Sequence, residues 1–206
     1  MSAPKKLVLF DLDGVLIDSK RNMEFSWNKV KSQLHLNVEF DEYFKLIGRS
    51  FFDIMKILGL SDQHNEIEKI FRATSASNVD LIDFYPGVIE ILSLLQSNDI
   101  KIGVVTSKDR LRTDGILSML PFRFHTVQTP KKCYRSKPAP DHLLLSMAIS
   151  GVDPSDSLYI GDMSVDMQSA ERAGIDYLHA SWGYEDISSS DVQCIESIRD
   201  IINYLK

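Results

Sequence analysis

Three short apolar runs constrain the fold of this chain more than any other feature of its sequence. They occupy residues 7–10, 102–105 and 158–160, and a polar residue follows each of them after at most one glycine. Apolar and polar positions do not alternate in these runs. Continuous runs of this length are typical of strands buried on both faces, as in a parallel sheet covered by helices. The runs therefore predict an α/β fold built around a parallel sheet.

Helical patterns lie between these runs and support the same fold class. Apolar residues over 88–95 follow the i, i+3, i+4, i+7 spacing of a helix that buries one face, and 143–148 carry a similar stripe. Weaker strand patterns lie at 122–127 and 176–180. The alternation of strands and helices predicts a Rossmann-like core. A last helix is predicted from the stripe Ile195, Ile198, Ile202 and Leu205.

Residues 17–84 differ from the rest of the chain, because they contain helical patterns and no convincing strand. We therefore predict a core formed by 1–16 and 85–206, with a small helical cap inserted after the first strand. The turn-forming sequence Tyr85-Pro86-Gly87 is a plausible hinge where the chain returns to the core. The helical patterns of the insert cover 22–34, 41–46, 51–58 and 65–79.

The composition and charge of the chain exclude several classes of protein. Of 206 residues, 44% are hydrophobic and 25% are charged, which is close to a globular average and argues against a disordered or fibrous chain. The net charge of −6 offers no basic surface for a nucleic acid, and no apolar stretch approaches the roughly 18 residues of a membrane span. The first apolar run is too short for a secretory signal, and the two cysteines require no disulfide, so we expect a cytoplasmic protein. The oligomeric state is not predicted.

Polar side chains follow each of the three apolar runs. In an open parallel sheet the ligand crevice lies outside the carboxyl ends of the strands, so we expect these side chains to converge although they are distant in sequence. This convergence is the central prediction from the sequence. The residues concerned are Asp11 and Asp13, Thr106 and Ser107, and Asp162 and Asp166.

The carboxylates of this set suit a metal and a nucleophile. Asp11 can act as either, Asp13 can exchange protons one step further along the chain, and Gly14 allows a sharp turn close to a ligand. Asp162 and Asp166, four residues apart, provide further oxygen ligands of the kind that Mg²⁺ prefers. The simpler alternatives are a solvated Asp-Gly turn and acidic residues that cap a helix.

Hydroxyl and ammonium groups complete the set. Thr106 and Ser107 stand at a strand–helix junction, where hydroxyls and free N–H groups suit an anion. Lys137 lies in a segment stiffened by two prolines, and its ammonium group could neutralise a phosphoryl group. The alternatives are a helix cap formed by Ser107, with Asp109 in the first turn, and a lysine exposed on the surface.

Taken together, these motifs resemble those of the haloacid dehalogenase superfamily. Asp11-Leu12-Asp13-Gly14 is similar to its first motif, Thr106 with Ser107 to the second, Lys137 to the third, and Gly161-Asp162 with Asp166 to the fourth. The resemblance covers roughly 5–16 and 85–182. The position and length of the insert resemble the small helical cap of the phosphoglycolate phosphatase-like branch.

The resemblance implies a Mg²⁺-dependent phosphatase acting on a small phosphorylated metabolite. Asp11 would attack phosphorus to form an aspartyl-phosphate, Asp13 would serve as acid and then base, and Lys137 would offset the negative charge. Gly14, Thr106 and Ser107 would bind the phosphoryl group. The resemblance implies metal ligands at Asp11, the Asp13 carbonyl, Asp162 and Asp166. The presence of Asp13 argues against dehalogenation.

Two alternatives stay open. A sugar phosphomutase of the β-phosphoglucomutase type shares all four motifs, and Gly48-Arg49-Ser50 is similar to a cap loop that grips a second phosphate, so Arg49 is a candidate substrate ligand. A non-enzymatic phospho-acceptor or phosphate-binding module also places carboxylates and a lysine at strand ends. Specificity would lie in the cap, where we expect five side chains to face the site: Arg49, Ser50, Phe51, Phe52 and Lys56.

Overall fold

The computed structural model describes residues 4–187 and 192–206. Among these residues, six parallel strands form one sheet in the order β5-β4-β1-β6-β7-β8, and a separate two-stranded ribbon pairs β2 with β3. The sheet confirms the predicted α/β fold class. In chain order the strands are β1 (Leu7–Phe10), β2 (Ile17–Asp18), β3 (Asp83–Phe84), β4 (Lys101–Val105), β5 (Thr126–Gln128), β6 (Ser157–Gly161), β7 (Asp176–Ala180) and β8 (Cys194–Ile195).

Helices cover both faces of the sheet. Helix α5 packs on β4, while α7 contacts β1, β4 and β5, and α8 contacts β6 and β7. Short 3₁₀ helices occupy Ser61–Gln63, Val79–Leu81, Pro154–Asp156 and Ile198–Tyr204. The α-helices are α1 (Lys20–Leu34), α2 (Phe40–Phe44), α3 (Phe51–Ile57), α4 (His64–Ser77), α5 (Val88–Ser97), α6 (Arg110–Leu117), α7 (Asp141–Ser150) and α8 (Ser164–Ala173).

The first strand explains why its sequence is a continuous apolar run. Val8 and Phe10 belong to the apolar cluster that includes α5, whereas Leu7 and Leu9 belong to the cluster on the other face that includes α7. All four side chains are fully buried. Complete burial of a Val or Leu side chain stabilises the fold by about 1.5–3 kcal/mol, so this strand tolerates no polar face.

Three details of the predicted core are wrong. Ile195, expected in the last helix, lies in β8, where it pairs with Ala180 of β7. The segment that follows is a 3₁₀ helix, Ile198–Tyr204, rather than an α-helix. The β5 strand is also shorter than the alternating segment 122–127 suggested. A two-residue strand such as β8 is too short to produce a periodic pattern.

The inserted segment contains α1 to α4 and has an apolar cluster of its own. Trp27 stacks on Tyr43 with ring centroids 4.5 Å apart, and Phe71 packs against Tyr43 from α4. Met163 and Val165, which come from the core sequence at the start of α8, join the same cluster. The inserted helices are therefore packed onto the sheet edge from which α8 begins.

The ribbon of β2 and β3 corrects the expectation that residues 17–84 contain no strand. Ile17 pairs with Phe84 and Asp18 with Asp83 in antiparallel register, so the chain leaves the core and returns to it side by side. The boundaries 1–16, 17–84 and 85–206 stay a prediction, and 1–3 and 188–191 lie outside the described residues. Within the described part of the chain, none of the helices combines the length and apolar character needed to cross a membrane.

Candidate active site

The site lies at the carboxyl edge of the central strands. Phe10 of β1 is in register with Val104 of β4 and with Ile160 of β6, so these three strands end at nearly the same level. Asp11 follows β1, Thr106 follows β4 and Asp162 follows β6. The parallel register thus brings side chains from three distant stretches of sequence to one edge.

Three buried carboxylates form the centre of the site. Asp11, Asp162 and Asp166 each offer an oxygen atom, and these atoms all lie within 4.8 Å of one another. Lys137, also buried, reaches into the same cluster: its Nζ lies 3.0 Å from Asp11 Oδ1 and 2.7 Å from Asp166 Oδ1. The cluster therefore contains three acidic groups and one ammonium group.

Burial and this charge balance together disfavour the ionised forms of Asp11 and Asp162. Burial raises the pKa of Asp11 to about 7; Lys137 opposes this shift, and the nearby Asp166 adds to it. Burial, followed by repulsion from Asp166 and Asp11, also raises the pKa of Asp162. Like charges that are buried together require a compensating cation.

The donor set fits a divalent metal ion. The Oδ1 atom of Asp162 is buried and has no hydrogen-bond partner among the described residues, so it is available as a ligand. The candidate ligands are carboxylate oxygens, which suit Mg²⁺ rather than zinc or copper. Asp11, Asp162 and Asp166 are the side chains that would hold such an ion.

The other oxygen of Asp162 and both oxygens of Asp166 are fixed by protein donors. The backbone N–H of Tyr184 donates to Asp162 Oδ2 at 2.8 Å, and the hydroxyl of Tyr159 donates to Asp166 Oδ1 at 2.8 Å. Asp166 Oδ2 accepts the N–H of Met163 at 3.2 Å, as a capping carboxylate does at a helix start. Asp166 therefore caps α8 and also belongs to the carboxylate cluster.

Gly14 is required by the closeness of two loops. Its φ is +81°, a conformation that favours glycine, and a Cβ built there would lie 1.9 Å from Asp162 Oδ2. Any side chain at this position would displace Asp162. Gly14 thus lets the loop after β1 approach the loop after β6.

Asp13 lies beside the cluster, and two partners hold it by one oxygen. Its Oδ1 atom is 3.0 Å from the Nζ of Lys108 and also accepts a hydrogen bond from the hydroxyl of Ser19. Burial lowers the pKa of Lys108, and attraction to Asp13 opposes that shift. Sequence reasoning did not assign a role to Lys108 or Ser19. The position of Lys108, directly after the strand-end pair Thr106-Ser107, was a signal for it.

Thr106 and Ser107 lie at the sheet edge, but Ser107 does not cap the following helix. Asp109 is the capping residue of α6, because its Oδ1 accepts the N–H of Arg112 at 3.2 Å. The Ser107 hydroxyl instead donates to the carbonyl of Gly48 in the inserted segment. Thr106 is buried, and its hydroxyl oxygen accepts the N–H of Lys108 at 3.1 Å. The alternative in which Ser107 caps this helix, with Asp109 in its first turn, is wrong.

A cavity opens between the sheet edge and the inserted helices. Arg49 and Phe51 line it as expected, whereas Ser50, Phe52 and Lys56 do not. Ser50 caps α3, and Phe52 is largely exposed and packs against His64. The cavity has cationic and aromatic walls that the sequence did not indicate, formed by Arg72, Lys108 and Arg112 and by Tyr43, Phe71 and Tyr184.

Arg112 was missed because its role depends on contacts between helices that are distant in sequence. Its guanidinium group is held by Asp109 at 2.5 Å, donates to the hydroxyl of Ser75 at 3.1 Å and lies over the ring of Phe71. It therefore links α6 to α4 of the inserted segment. A helix-surface arginine in an otherwise ordinary pattern carries no sequence signal for such a contact.

Comparison with known proteins gives consistent matches. A family model described as haloacid dehalogenase-like hydrolase matches residues 8–180. A phosphoglycolate phosphatase from Aquifex aeolicus is 29% identical over 188 residues, covering 89% of this chain and 88% of that protein. Pyrophosphatase PpaX from Oceanobacillus iheyensis is 27% identical over 207 residues, covering 96% and 95%. Among solved structures, a hydrolase from Pseudomonas syringae has a TM-score of 0.86 and 23% identity, covering 98% of both chains.

The family match includes the loops that carry the buried carboxylates, since 8–180 extends from β1 through β7. It confirms the resemblance found in the motifs, and the two curated relatives are named as phosphatases, in agreement with the predicted enzyme class. The solved structure confirms the fold. This chain belongs to the haloacid dehalogenase-like hydrolase family.

Proposed function

We propose that this chain is a Mg²⁺-dependent phosphatase that hydrolyses a small phosphomonoester through an aspartyl-phosphate. One observation carries the proposal: Lys137 contacts Asp11 within a cluster of three buried carboxylates, at the end of a cavity that Asp13 also lines. A nucleophile, a charge-neutralising lysine, a metal-binding donor set and a second carboxylate are thus brought together at one strand edge. Such a set suits phosphoryl transfer, where positioning and charge stabilisation supply most of the catalysis.

In the first step an oxygen of the Asp11 carboxylate attacks phosphorus and the ester P–O bond breaks. The leaving alkoxide takes a proton from Asp13, so the alcohol departs neutral and Asp11 carries the phosphoryl group. Lys137 reduces the repulsion between the carboxylate and the phosphoryl oxygens. Bound Mg²⁺ would supply the remaining positive charge, with Asp11, Asp162 and Asp166 as its side-chain ligands and the Asp13 carbonyl as a further proposed ligand.

In the second step water attacks the phosphorus of the aspartyl-phosphate. The carboxylate of Asp13 takes a proton from this water, the bond between phosphorus and the Asp11 oxygen breaks, and phosphate leaves with Asp11 restored. One residue thus serves as acid and then as base. Such proton transfer contributes about 10²–10⁴-fold to the rate. The buried hydroxyl of Thr106, the loop at Gly14 and Ser107 are proposed to bind phosphoryl oxygens.

We propose that residues 17–84 act as a cap that selects the substrate. Met23, Tyr43 and Phe51 from this segment line the cavity, so the alcohol part of the ester would lie against an apolar and aromatic wall. Arg49 lines the same cavity and forms none of the ion pairs among the described residues, which favours an anionic substrate. The names of the relatives make phosphoglycolate and pyrophosphate the first compounds to test.

The test is release of free phosphate from a panel of small phosphomonoesters and pyrophosphate, with Mg²⁺ or with a chelator. We expect release that requires the metal and falls to background in Asp11→Asn. Asp99→Asn, at an exposed position, is the matched control and keeps full activity. If no compound releases phosphate but intact-mass measurement detects a stable phosphorylated Asp11, the chain is a phospho-acceptor module and the phosphatase proposal is wrong.

A sugar phosphomutase is the second candidate, because Arg49 faces the cavity. In a mutase the phosphoryl group returns to the sugar and little phosphate is freed. The experiment is product analysis with a hexose phosphate by nuclear magnetic resonance. Isomerisation without phosphate release, abolished in Arg49→Gln, would support the mutase and contradict the phosphatase.

A further inference from the structure

Tyr184 lies outside the four motifs, yet it contacts three separate parts of the site. Its backbone N–H holds Asp162, as described above. Its ring packs edge-on against Phe44 of α2, with centroids 5.1 Å apart. Its hydroxyl reaches Asp18 at the end of β2 and Ser19 just before α1. One residue of the loop after β7 therefore joins the loop that carries Asp162, the inserted helices and the start of α1.

The hydroxyl of Tyr184 is used twice. It donates to Asp18 Oδ1 at 3.1 Å and accepts the backbone N–H of Ser19 at 2.7 Å. Burial raises the pKa of Tyr184, so the group keeps its proton and stays a donor. The bond from the Ser19 N–H fixes the backbone just before α1, and Asp18 Oδ1 also accepts the N–H of Lys20, the first residue of that helix, at 3.0 Å.

Ser19 uses its side chain in an unusual way for its position. It is the residue that precedes α1, where a serine hydroxyl normally accepts an N–H of the first helical turn. Here it makes no such bond and donates instead to Asp13 Oδ1. Ser19 therefore holds Asp13 instead of capping α1.

The contacts of Asp13 leave one oxygen free. Lys108 and Ser19 both bind Oδ1, while Oδ2 has no hydrogen-bond partner among the residues that the structure describes. Asp13 also lines the cavity. The proton to be transferred would therefore sit on Oδ2, and its direction depends on how Oδ1 is held.

We propose that Tyr184 is a positioning residue for Asp13, acting through the backbone and hydroxyl of Ser19. The inference rests on the proposed phosphatase function, in which Asp13 protonates the leaving group. It predicts a defect confined to steps that need this proton transfer, because the backbone N–H that Tyr184 gives to Asp162 does not depend on the side chain.

Tyr184→Phe tests the proposal, since it removes one oxygen atom and keeps the ring against Phe44. We compare p-nitrophenyl phosphate, whose leaving group needs little protonation, with an alkyl phosphomonoester that the wild-type protein hydrolyses. We expect kcat/KM for the alkyl ester to fall about 10-fold, part of the 10²–10⁴-fold that acid–base catalysis contributes, and kcat/KM for the aryl ester to fall less than about 2-fold. The ratio kcat/KM is compared because it reports the first step alone, whereas Asp13 acts as base in a second step that both esters share.

Two further measurements separate positioning from general damage. Hydrogen exchange of the Ser19 amide should become faster in Tyr184→Phe, because that N–H loses its acceptor. Ser19→Ala should reproduce the selective loss on the alkyl ester, Ser19→Thr should restore it, and the double variant should be no worse than Ser19→Ala alone. Tyr177→Phe, which removes a hydroxyl bonded to His179, is the matched control and should leave both activities unchanged.

The outcomes distinguish a failure of the proposed function from a failure of the positioning role of Tyr184. If the wild-type protein releases phosphate from neither ester, the proposed function fails and this inference falls with it. If the wild-type protein is active but Tyr184→Phe lowers kcat/KM equally for both esters, or for neither, the positioning role alone is wrong. If Tyr184→Phe does not fold, the pair Ser19→Ala and Ser19→Thr decides: equal activity of the two on the alkyl ester overturns the proposal.

Discussion

The Nζ of Lys137 lies 2.7 Å from Oδ1 of Asp166, and both side chains are almost fully buried. The same ammonium group lies 3.0 Å from Asp11. Removing it leaves three carboxylates without their neutralising partner. We expect Lys137→Met to lower the free energy of unfolding by about 3–5 kcal/mol in the absence of metal, the usual cost of breaking a buried ion pair from one side. Urea unfolding with a chelator present measures this loss.

A surface lysine provides the control for this variant. Lys6 forms an ion pair with Asp156 at 2.6 Å, but its side chain is largely exposed. Lys6→Met makes the same chemical change where water screens the charge, so little change in stability is expected. Equal unfolding midpoints for Lys137→Met and wild type would contradict the prediction, because they would mean that the buried carboxyl groups carry no charge for the lysine to neutralise.

Gly14→Ala should displace Asp162 in addition to straining the backbone of residue 14. A residue other than glycine at a left-handed φ costs about 1–2 kcal/mol, and here the new Cβ would also lie 1.9 Å from Asp162 Oδ2. We expect loss of Mg²⁺ binding and of phosphate release. Isothermal titration with Mg²⁺ measures the first, and a phosphate assay the second.

Gly59→Ala separates the two costs of that substitution. Gly59 also has a left-handed φ, +72°, but nothing lies within 4 Å of the position that its Cβ would take. This variant should lose some stability and keep Mg²⁺ binding. If Gly14→Ala bound Mg²⁺ as tightly as Gly59→Ala, the close approach of the two loops would not matter for the site.

Mg²⁺ should stabilise the folded protein. An ion bound only to the native state adds about 2.7 kcal/mol at a concentration 100 times its Kd, and thermal unfolding would detect this as a rise in Tm. Asp162→Asn should abolish the rise. Without metal it should be no less stable than wild type, because it removes one of three crowded negative charges while the Tyr184 N–H keeps an acceptor. A normal Mg²⁺-dependent rise in this variant would exclude Asp162 as a ligand.

His142 should make the protein less stable as the pH falls below about 6.5. Burial lowers the pKa of His142, the nearby Lys137 lowers it further, and Asp141 opposes the shift. The native state therefore holds histidine in the neutral form. Above pH 6.5 His142 is neutral in both the folded and the unfolded state, so it does not change the free energy of unfolding. Below pH 6.5 the unfolded chain binds the proton first, and the free energy of unfolding falls.

The difference in unfolding free energy between wild type and His142→Gln isolates this effect from other groups that titrate nearby. We expect this difference to change between pH 7.5 and 5, which urea unfolding at several pH values would measure. His35→Gln makes the same chemical change at an exposed position and is the matched control. A wild-type slope in His142→Gln would contradict the prediction.

The fold could be predicted where burial on both faces left a continuous apolar run, as at Val8 and Phe10. The same reasoning located Asp11, Thr106 and Asp162, because parallel strands bring their carboxyl ends to one edge. It could not find β8, since two residues around Ile195 form no pattern and pair only because β7 presents a free edge. Local sequence carries information about burial, whereas strand pairing depends on neighbours.

The parts of the site that the sequence did not indicate depend on contacts across the chain. Tyr184 contacts Ser19 because the fold places the loop after β7 beside the start of α1. Arg112 contacts Ser75 because α6 packs beside α4. Lys137 illustrates the opposite case: a lysine is usually exposed, and only its place among the four motifs indicated that this one belongs to the site. Side-chain partners such as these follow from the assembled fold.

The pairing of Ile17 with Phe84 has a consequence for how the sequence of this protein can evolve. Because the chain leaves and re-enters at neighbouring points, a segment of different length or sequence can be accommodated there without altering the alignment of β1 with β4 and β6. On the proposed role of residues 17–84 in selecting the substrate, a segment transplanted from a relative between these two positions would be a route to a new selectivity, provided that Ser19 is kept to hold Asp13.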